Sequence, residues 1–332
     1  MKLVLKFFLL AVFLTLASDA GSQNFREEYE ADIRKKEWPK TDFSNAVVSL
    51  DEIDHGGTPK DGIPAIDFPK FVPASLVKNI SPREPVITVE IDGIARAYPF
   101  RVLMQHEIVN DYIKGRPITV TFCPLCNSAM VFSGQVGSKT LTFGVTGWLR
   151  NSDLVMYDRQ TESWWQQFTG RAIFGEMAGE TLKRLPARIE SFEKFKKRNP
   201  FGDVLFPENP GLRDYGTTPY VGYDSLPYPY FRAGPLPDNI PAMARVVSVG
   251  KQAWALSLVR QKGKIETTDG LVITWEEGQN SALDSRIISG GRDIGNVLVQ
   301  QITATGLVLI PYSVDFAFAF HAFNPESKII IE

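Results

Sequence analysis

The sequence holds two cysteines, Cys123 and Cys126, separated by Pro124 and Leu125 in the run TFCPLCNSA. Two sulfurs three positions apart on a turn can do three kinds of chemistry. As thiolates they can supply half of a tetrahedral metal site; as thiols they can cycle with a disulfide; or they can close a small structural ring. Such a short ring constrains the unfolded chain by about 2 kcal/mol at most, and 332 residues build a core without it. A thioredoxin-type pair opens a helix whose dipole lowers the thiol pKa. Here the residues after Cys126, NSAMVFSG, read as a strand. Strand, Cys-Pro-x-Cys, polar turn residue, strand is the pattern of a metal knuckle.

A knuckle is half a site, and the chain has three histidines to complete it: His55, His106 and His321. His106, in MQHEIVND, is the expected third ligand, with Glu107 and Asn110-Asp111 placed to orient it. His321, Met104, Met130 or a solvent molecule are candidates for the fourth position. The expected cofactor is one zinc or copper ion, a methionine favouring Cu(I). The alternative function is a thiol-disulfide oxidoreductase using the same pair. A third, from another class, is a small-molecule or carbohydrate binding module with a structural disulfide. Its cleft would draw on RNSDLVMYDRQTESWWQQFTGRAI, where Asp158, Arg159, Trp164 and Trp165 offer an aromatic floor and a polar rim. The same residues also suit a buried polar network with core tryptophans. The sequence carries no GxSxG, P-loop, HExxH or EF-hand motif, so no reaction is assigned.

Several elements must position these groups. Residues 118–123 and 128–133 read as strands that hold the cysteines at a hairpin tip. VITVEIDGIARAYPF, 86–100, is a second hairpin turning at Asp92-Gly93. Leu141–Val145 is a further strand, and Ile189–Arg198 a short amphipathic helix stopped by Asn199-Pro200. Near the end, Phe316, Phe320 and Phe323 share a helical face that Ser313 or Asp315 could cap, although 316–320 also alternates like a strand. Residues 55–74 and 200–243 are rich in Gly and Pro, the latter also in Tyr. Both read as ordered, packed segments rather than flexible linkers.

Sliding the chain along itself sets TVTFCPLCNSAM (119–130) on VITWEEGQNSAL (272–283). Thr121 meets Thr274, Phe122 meets Trp275, and Asn127-Ser128-Ala129 meets Asn280-Ser281-Ala282. The expected fold is therefore α+β and β-rich, with few short helices and two related halves from a decayed duplication. The first half, 50–199, carries the cysteine turn; 200–243 connects; the second half, 244–332, has Glu276–Gln279 where the cysteines stand. If the turns are equivalent, the turn forms without sulfur, and the cysteines serve chemistry rather than folding.

Ahead of these lie a polar arm, 21–49, and the leader MKLVLKFFLLAVFLTLASDA. Two lysines, a short apolar run and small residues near Ala20 predict a cleaved signal peptide. The run is too short to span a bilayer comfortably, so the mature chain is expected to be periplasmic or secreted, without stable membrane insertion. That compartment is oxidising. A hydrophobic fraction of 44% against 22% charged places the chain among globular proteins. A net charge of −2 argues against nucleic-acid partners.

Six segments in order, GGTPKDGIPAIDFPKFV, GIARAYPF, HEIVND, GRPITVTFCPLCNSA, RNSDLVMYDRQTESWWQQFTGRAI and TPYVGYD, resemble the bacterial proteins grouped as domain of unknown function 3179. The resemblance covers about residues 50–325 and implies a bacterial, exported protein. It includes Cys123, Cys126 and His106 but transfers no activity and no catalytic residue.

Overall fold

The computed structural model describes residues 27–207 and 209–332. The leader and its cleavage position near Ala20 lie outside the described residues. The chain divides into a unit ending at Thr41 and a unit from Asp42 to Glu332. In the first, residues 27–37 are helical. The structure is β-rich, 38% strand against 17% helix, well above the strand content of an average domain. Among the described residues no helix is long and apolar enough to cross a membrane.

The hairpins follow from their turn residues. Asp92 (φ 48°) and Gly93 (φ 79°) join strands Pro85–Ile91 and Ile94–Pro99 through a two-residue loop whose central residues both need positive φ. Asn151 (φ 52°) and Ser152 (φ 61°) do the same between strands Phe143–Arg150 and Asp153–Asp158. The cysteine turn links strands Arg116–Cys123 and Ser128–Ser133 with Cys123 opposite Ser128. Asn127 takes the left-handed position there at φ 52°.

One strand-and-helix arrangement occurs twice. In the first half the sheet order is Arg188–Ser191, Pro85–Ile91, Ile94–Pro99, Asp203–Phe206, the last pair parallel. In the second it is Ser313–Phe316, Arg245–Val249, Gln252–Ala255, Ile329–Ile330, again with only the last pair parallel. Helix Phe100–His106 follows the central hairpin of the first, and helix Leu256–Lys262 that of the second. Each ends in a positive-φ cap, Glu107 or Gly263, and an antiparallel pair follows. The N–H of Phe122 donates to the Glu107 carbonyl at 2.8 Å, and that of Trp275 to the Gly263 carbonyl at 2.9 Å. Helices Phe192–Arg198 and Ala317–Phe323 also match, each preceding the parallel strand.

The structure shifts several expected boundaries. Residues 189–191 extend a strand, because their backbone pairs with residues 85–87. The helix starts at Phe192, where the Ser191 side chain accepts from the Lys194 N–H. Ser313 and Asp315 cap nothing; they sit in the strand that precedes helix Ala317–Phe323. Asp203–Phe206 belongs to the first half's sheet rather than to the connection. Nor are the halves separate domains. A nine-stranded sheet runs through both, joined where Ile189 pairs with Val297.

The irregular Gly/Pro segment is pinned to two strands. The Gly56 and Asp61 N–H groups donate to the carbonyls of Gly147 and Val145 at 2.8 and 2.9 Å. Ile66 exchanges bonds with Ile108 and Asn110. It thereby braces the strand that ends at the Asn151-Ser152 turn.

Candidate functional site

Two hairpin tips meet in the core. The sulfurs of Cys123 and Cys126 and a carboxylate oxygen of Asp153 all lie within 4.8 Å of one another, the only such group of His, Cys, Asp and Glu among the described residues. Both cysteines are unbridged. Cys126 and Asp153 are 0% exposed and Cys123 2%. A tetrahedral ion with ~2.3 Å metal–sulfur bonds holds sulfurs ~3.8 Å apart, so the triangle has the right scale for one metal.

The two tips hold each other. The Ser152 carbonyl accepts from Cys126 at 3.4 Å and from Cys123 at 3.8 Å. Asp153 Oδ2 accepts from Gln166 Nε2 at 2.6 Å and from the Phe168 N–H at 2.9 Å. Its other oxygen, Oδ1, is buried with no N–H or O–H donor, and only the weakly donating Cys126 and Cys123 thiols beside the carboxylate ease its charge from that side. A buried acceptor in that state is costly and calls for an explanation.

Electrostatics make the site unusual. Burial pushes Asp153 up to about 7 and Glu107 up to about 8, the latter also raised by the Asp153 charge. Burial likewise raises both thiols, Cys126 well above its ordinary value. Neighbouring negative charge raises them further: Asp153 and Glu107 act on Cys123, and Cys123 itself, then Asp153 and Asp315, on Cys126. Asp153, Glu107 and the two thiols, all groups that ionise to anions, thus share a buried region, and a cation is what would let them ionise.

Glu107 follows His106 at the end of helix Phe100–His106, with φ 58° and ψ −34°. A side chain in that region costs ~1–3 kcal/mol. Its carboxylate is 8% exposed as part of the residue, and among the described residues no donor bonds it. At the matching cap the second half has Gly263, at φ 69° and ψ −38°.

The tips are closed over by distant parts of the chain. The Phe316 N–H donates to the Cys126 carbonyl at 2.9 Å, and Asn127 Nδ2 to the Val314 carbonyl at 2.7 Å. From the Tyr-rich connection, the Tyr223 hydroxyl donates to the Leu125 carbonyl at 3.0 Å. The Arg232 carbonyl accepts from Ser152 Oγ at 3.1 Å, and the Arg232 guanidinium is tied to Asp54 Oδ2 at 3.0 Å.

The imidazole expected as third ligand goes elsewhere. His106 Nδ1 donates to the Pro64 carbonyl at 2.7 Å, which leaves Nε2 to accept from the Tyr215 hydroxyl at 2.8 Å. The ring lines a surface cavity of about 310 Å³ with Lys70 and Arg213, and burial holds its pKa down. The reason is local. Past the helix cap the two neighbours meet different surroundings: His106 lines the surface cavity, whereas Glu107 is buried and near enough to Cys123 for its charge to act on the thiol.

The other candidates are also placed. The Met104 sulfur accepts from Thr218 Oγ1 at 3.5 Å. Met130 lies on the cysteine hairpin opposite Thr121. His321 lies in the last turn of helix Ala317–Phe323 and is outside the cluster, as is His55, which stacks edge-on against Trp148. Asp158, Trp164 and Trp165 are fully buried and so face no cleft. Asp158 accepts from the Thr161 N–H and from Trp165 Nε1. Arg159 is half-buried and pairs with Asp61 and Asp67. Asp158 and Trp165 thus share a buried hydrogen bond, Trp164 packs in the core against Phe43, Trp148 and Phe174, and Arg159 belongs to a separate ion-pair cluster.

Asp153 carried no local signal in the sequence, since only the meeting of two hairpins brings it to the sulfurs. Glu107 stands out in the sequence only as a group that could orient His106.

A neighbouring acid gives a pH prediction. Asp315 is 0% exposed and accepts from Ser248 Oγ at 2.8 Å, and burial pushes it up to about 7 despite Arg184. Its folded pKa exceeds its unfolded one. Its contribution to stability is therefore complete below about pH 4 and lost as pH rises through about 7. In urea unfolding with chelator present, wild-type stability should fall between about pH 5 and about pH 7 relative to Asp315→Asn, by on the order of 1–2 kcal/mol. Parallel curves for the two proteins would refute the assignment.

Compared with known proteins, residues 60–327 match a family model described as "Protein of unknown function (DUF3179)". No curated protein and no solved structure matches the chain.

Proposed function

We propose that this chain, which belongs to the DUF3179 family, binds one transition-metal ion through Cys123, Cys126 and Asp153. One observation carries the reading: two sulfurs and a carboxylate within 4.8 Å of one another, fully buried and surrounded by further acids. A mixed sulfur and oxygen donor set suits zinc better than Cu(I). Binding would ionise both thiols and Asp153 and release their protons. The leader supports export, and in an oxidising compartment a bound ion would keep the pair from forming a disulfide.

The thiol-disulfide reading keeps one supporting observation, the Asp153 carboxylate beside both thiols, which could accept a proton as they oxidise. Against it stands the burial of both sulfurs, since exchange needs in-line access to one of them. The internal duplication is our reading of the repeated strand order, the repeated helices and the aligned residues Phe122 and Trp275. On that reading one half kept the chemistry and the other kept the scaffold.

Elemental analysis of protein purified without chelator or immobilised nickel tests the metal proposal. The expected result is one zinc per chain, lost when Cys123 and Cys126 are both changed to serine. Metal-free wild type whose pair cycles reversibly between dithiol and disulfide would sink it and support the oxidoreductase.

A further inference from the structure

The two halves place different residues at the same backbone position, and the difference points to a ligand. Glu107 and Gly263 cap matching helices with nearly the same dihedrals, φ 58°, ψ −34° and φ 69°, ψ −38°. Glycine adopts this conformation freely, whereas a residue with a Cβ is strained in it. The scaffold therefore works with glycine, and the first half retains a strained glutamate. Strain of this kind gathers at functional sites.

What the glutamate gains is a location. Its carbonyl holds the N–H of Phe122 at 2.8 Å, next in the chain to Cys123. Its side chain is buried and, among the described residues, no donor bonds the carboxylate. Without a cation or donor beside it, a carboxyl group so placed is costly to ionise and stays protonated, whereas a bound cation would let it ionise. The three donors of the triangle leave one corner of a tetrahedron open.

We propose that Glu107 is the fourth ligand of the ion held by Cys123, Cys126 and Asp153, and that its strained cap is kept to aim it there. This rests on the metal reading above. The carboxylate lies outside the 4.8 Å triangle, so ligation requires its side chain to rotate toward the ion. A site of two thiolates and two carboxylates is closed, with no position for a substrate, so it holds the ion as a structural or carried one rather than as a catalyst.

The test uses the full chain as wild type, Glu107→Gly and Glu107→Gln, loaded with zinc for affinity and with cobalt(II) for its visible spectrum. Competition against a chromophoric chelator should show zinc binding ~10²-fold weaker in both variants. The cobalt d–d bands should shift as water replaces the carboxylate. Metal-free Glu107→Gly should melt a few degrees higher than metal-free wild type, because the strain is gone. If Glu107→Gly binds zinc as tightly as wild type with an unchanged cobalt spectrum, Glu107 is no ligand and the three-residue centre survives. If wild type binds neither ion, the metal reading falls and this inference with it.

Discussion

Asp153→Asn should weaken metal binding by roughly 10³-fold while the protein stays folded. Structural zinc sites gain about 10–16 kcal/mol from the ion, so in the proposed four-ligand site each ligand would account for ~3–4 kcal/mol, or two to three decades in affinity. Asparagine keeps the shape and an acceptor oxygen. It can still receive the Phe168 N–H and Gln166 Nε2 that Asp153 Oδ2 now receives. What it cannot supply is an anionic oxygen beside the two sulfurs. The metal-free protein should also respond. Burial raises Asp153 to about 7, so wild type loses stability as pH climbs from about 4 through about 7, and the variant escapes that loss. Above about pH 7, metal-free Asp153→Asn should therefore melt at or above metal-free wild type. Chelator competition and thermal melts check both halves. Undiminished zinc affinity would remove Asp153 from the centre.

Gly147→Ala is the substitution expected to damage the fold most. Gly147 sits at φ 82°, in the irregularity between Val145 and Leu149 where the strand slips against its neighbour. A Cβ built there would lie 1.8 Å from the Thr58 carbonyl oxygen and 2.8 Å from its carbon. Both are backbone atoms, so no side chain can swing aside. The bond from the Gly56 N–H to the Gly147 carbonyl would break as the segment lifts. Overpacking and a forbidden dihedral together should cost ~3–5 kcal/mol, a fall of ~10 °C or more in Tm. Gly57→Ala is the control. It also has positive φ, but nothing lies within 4 Å of where its Cβ would stand, so only the dihedral strain of ~1 kcal/mol applies. Equal melting temperatures for Gly147→Ala and wild type would show that the segment packs otherwise.

How much of this could be read before folding depended on the range of the signal. The cysteine hairpin was legible because alternation on both sides and a polar turn residue are local facts. So was the turn at Asp92-Gly93, whose residues tolerate positive φ. The match of Phe122 with Trp275 placed two residues whose N–H groups do the same job, each donating to a helix-cap carbonyl. Orientation was not legible. Two neighbours at a helix end, His106 and Glu107, finish in different surroundings, one at a surface cavity and one buried past a positive-φ cap, and no periodicity reveals that. Asp153 was hidden for a different reason. It follows an ordinary two-residue turn, and only the docking of that turn on the cysteine tip makes it special. The tryptophans misled because aromatic and polar residues in alternation describe a ligand cleft and a hydrogen-bonded core equally well.

The contacts from Val314 and Phe316 onto the cysteine turn have a consequence for biosynthesis. The ribosome makes the thiols first, and the strand that closes over them follows only after a separation of 187 positions between Asn127 and Val314. A zinc-ribbon knuckle can capture its ion as a nascent peptide, but an ion held here would gain its enclosure only once that later strand had been made and docked. A chain cut short before Val314 would carry the sulfurs without that cover.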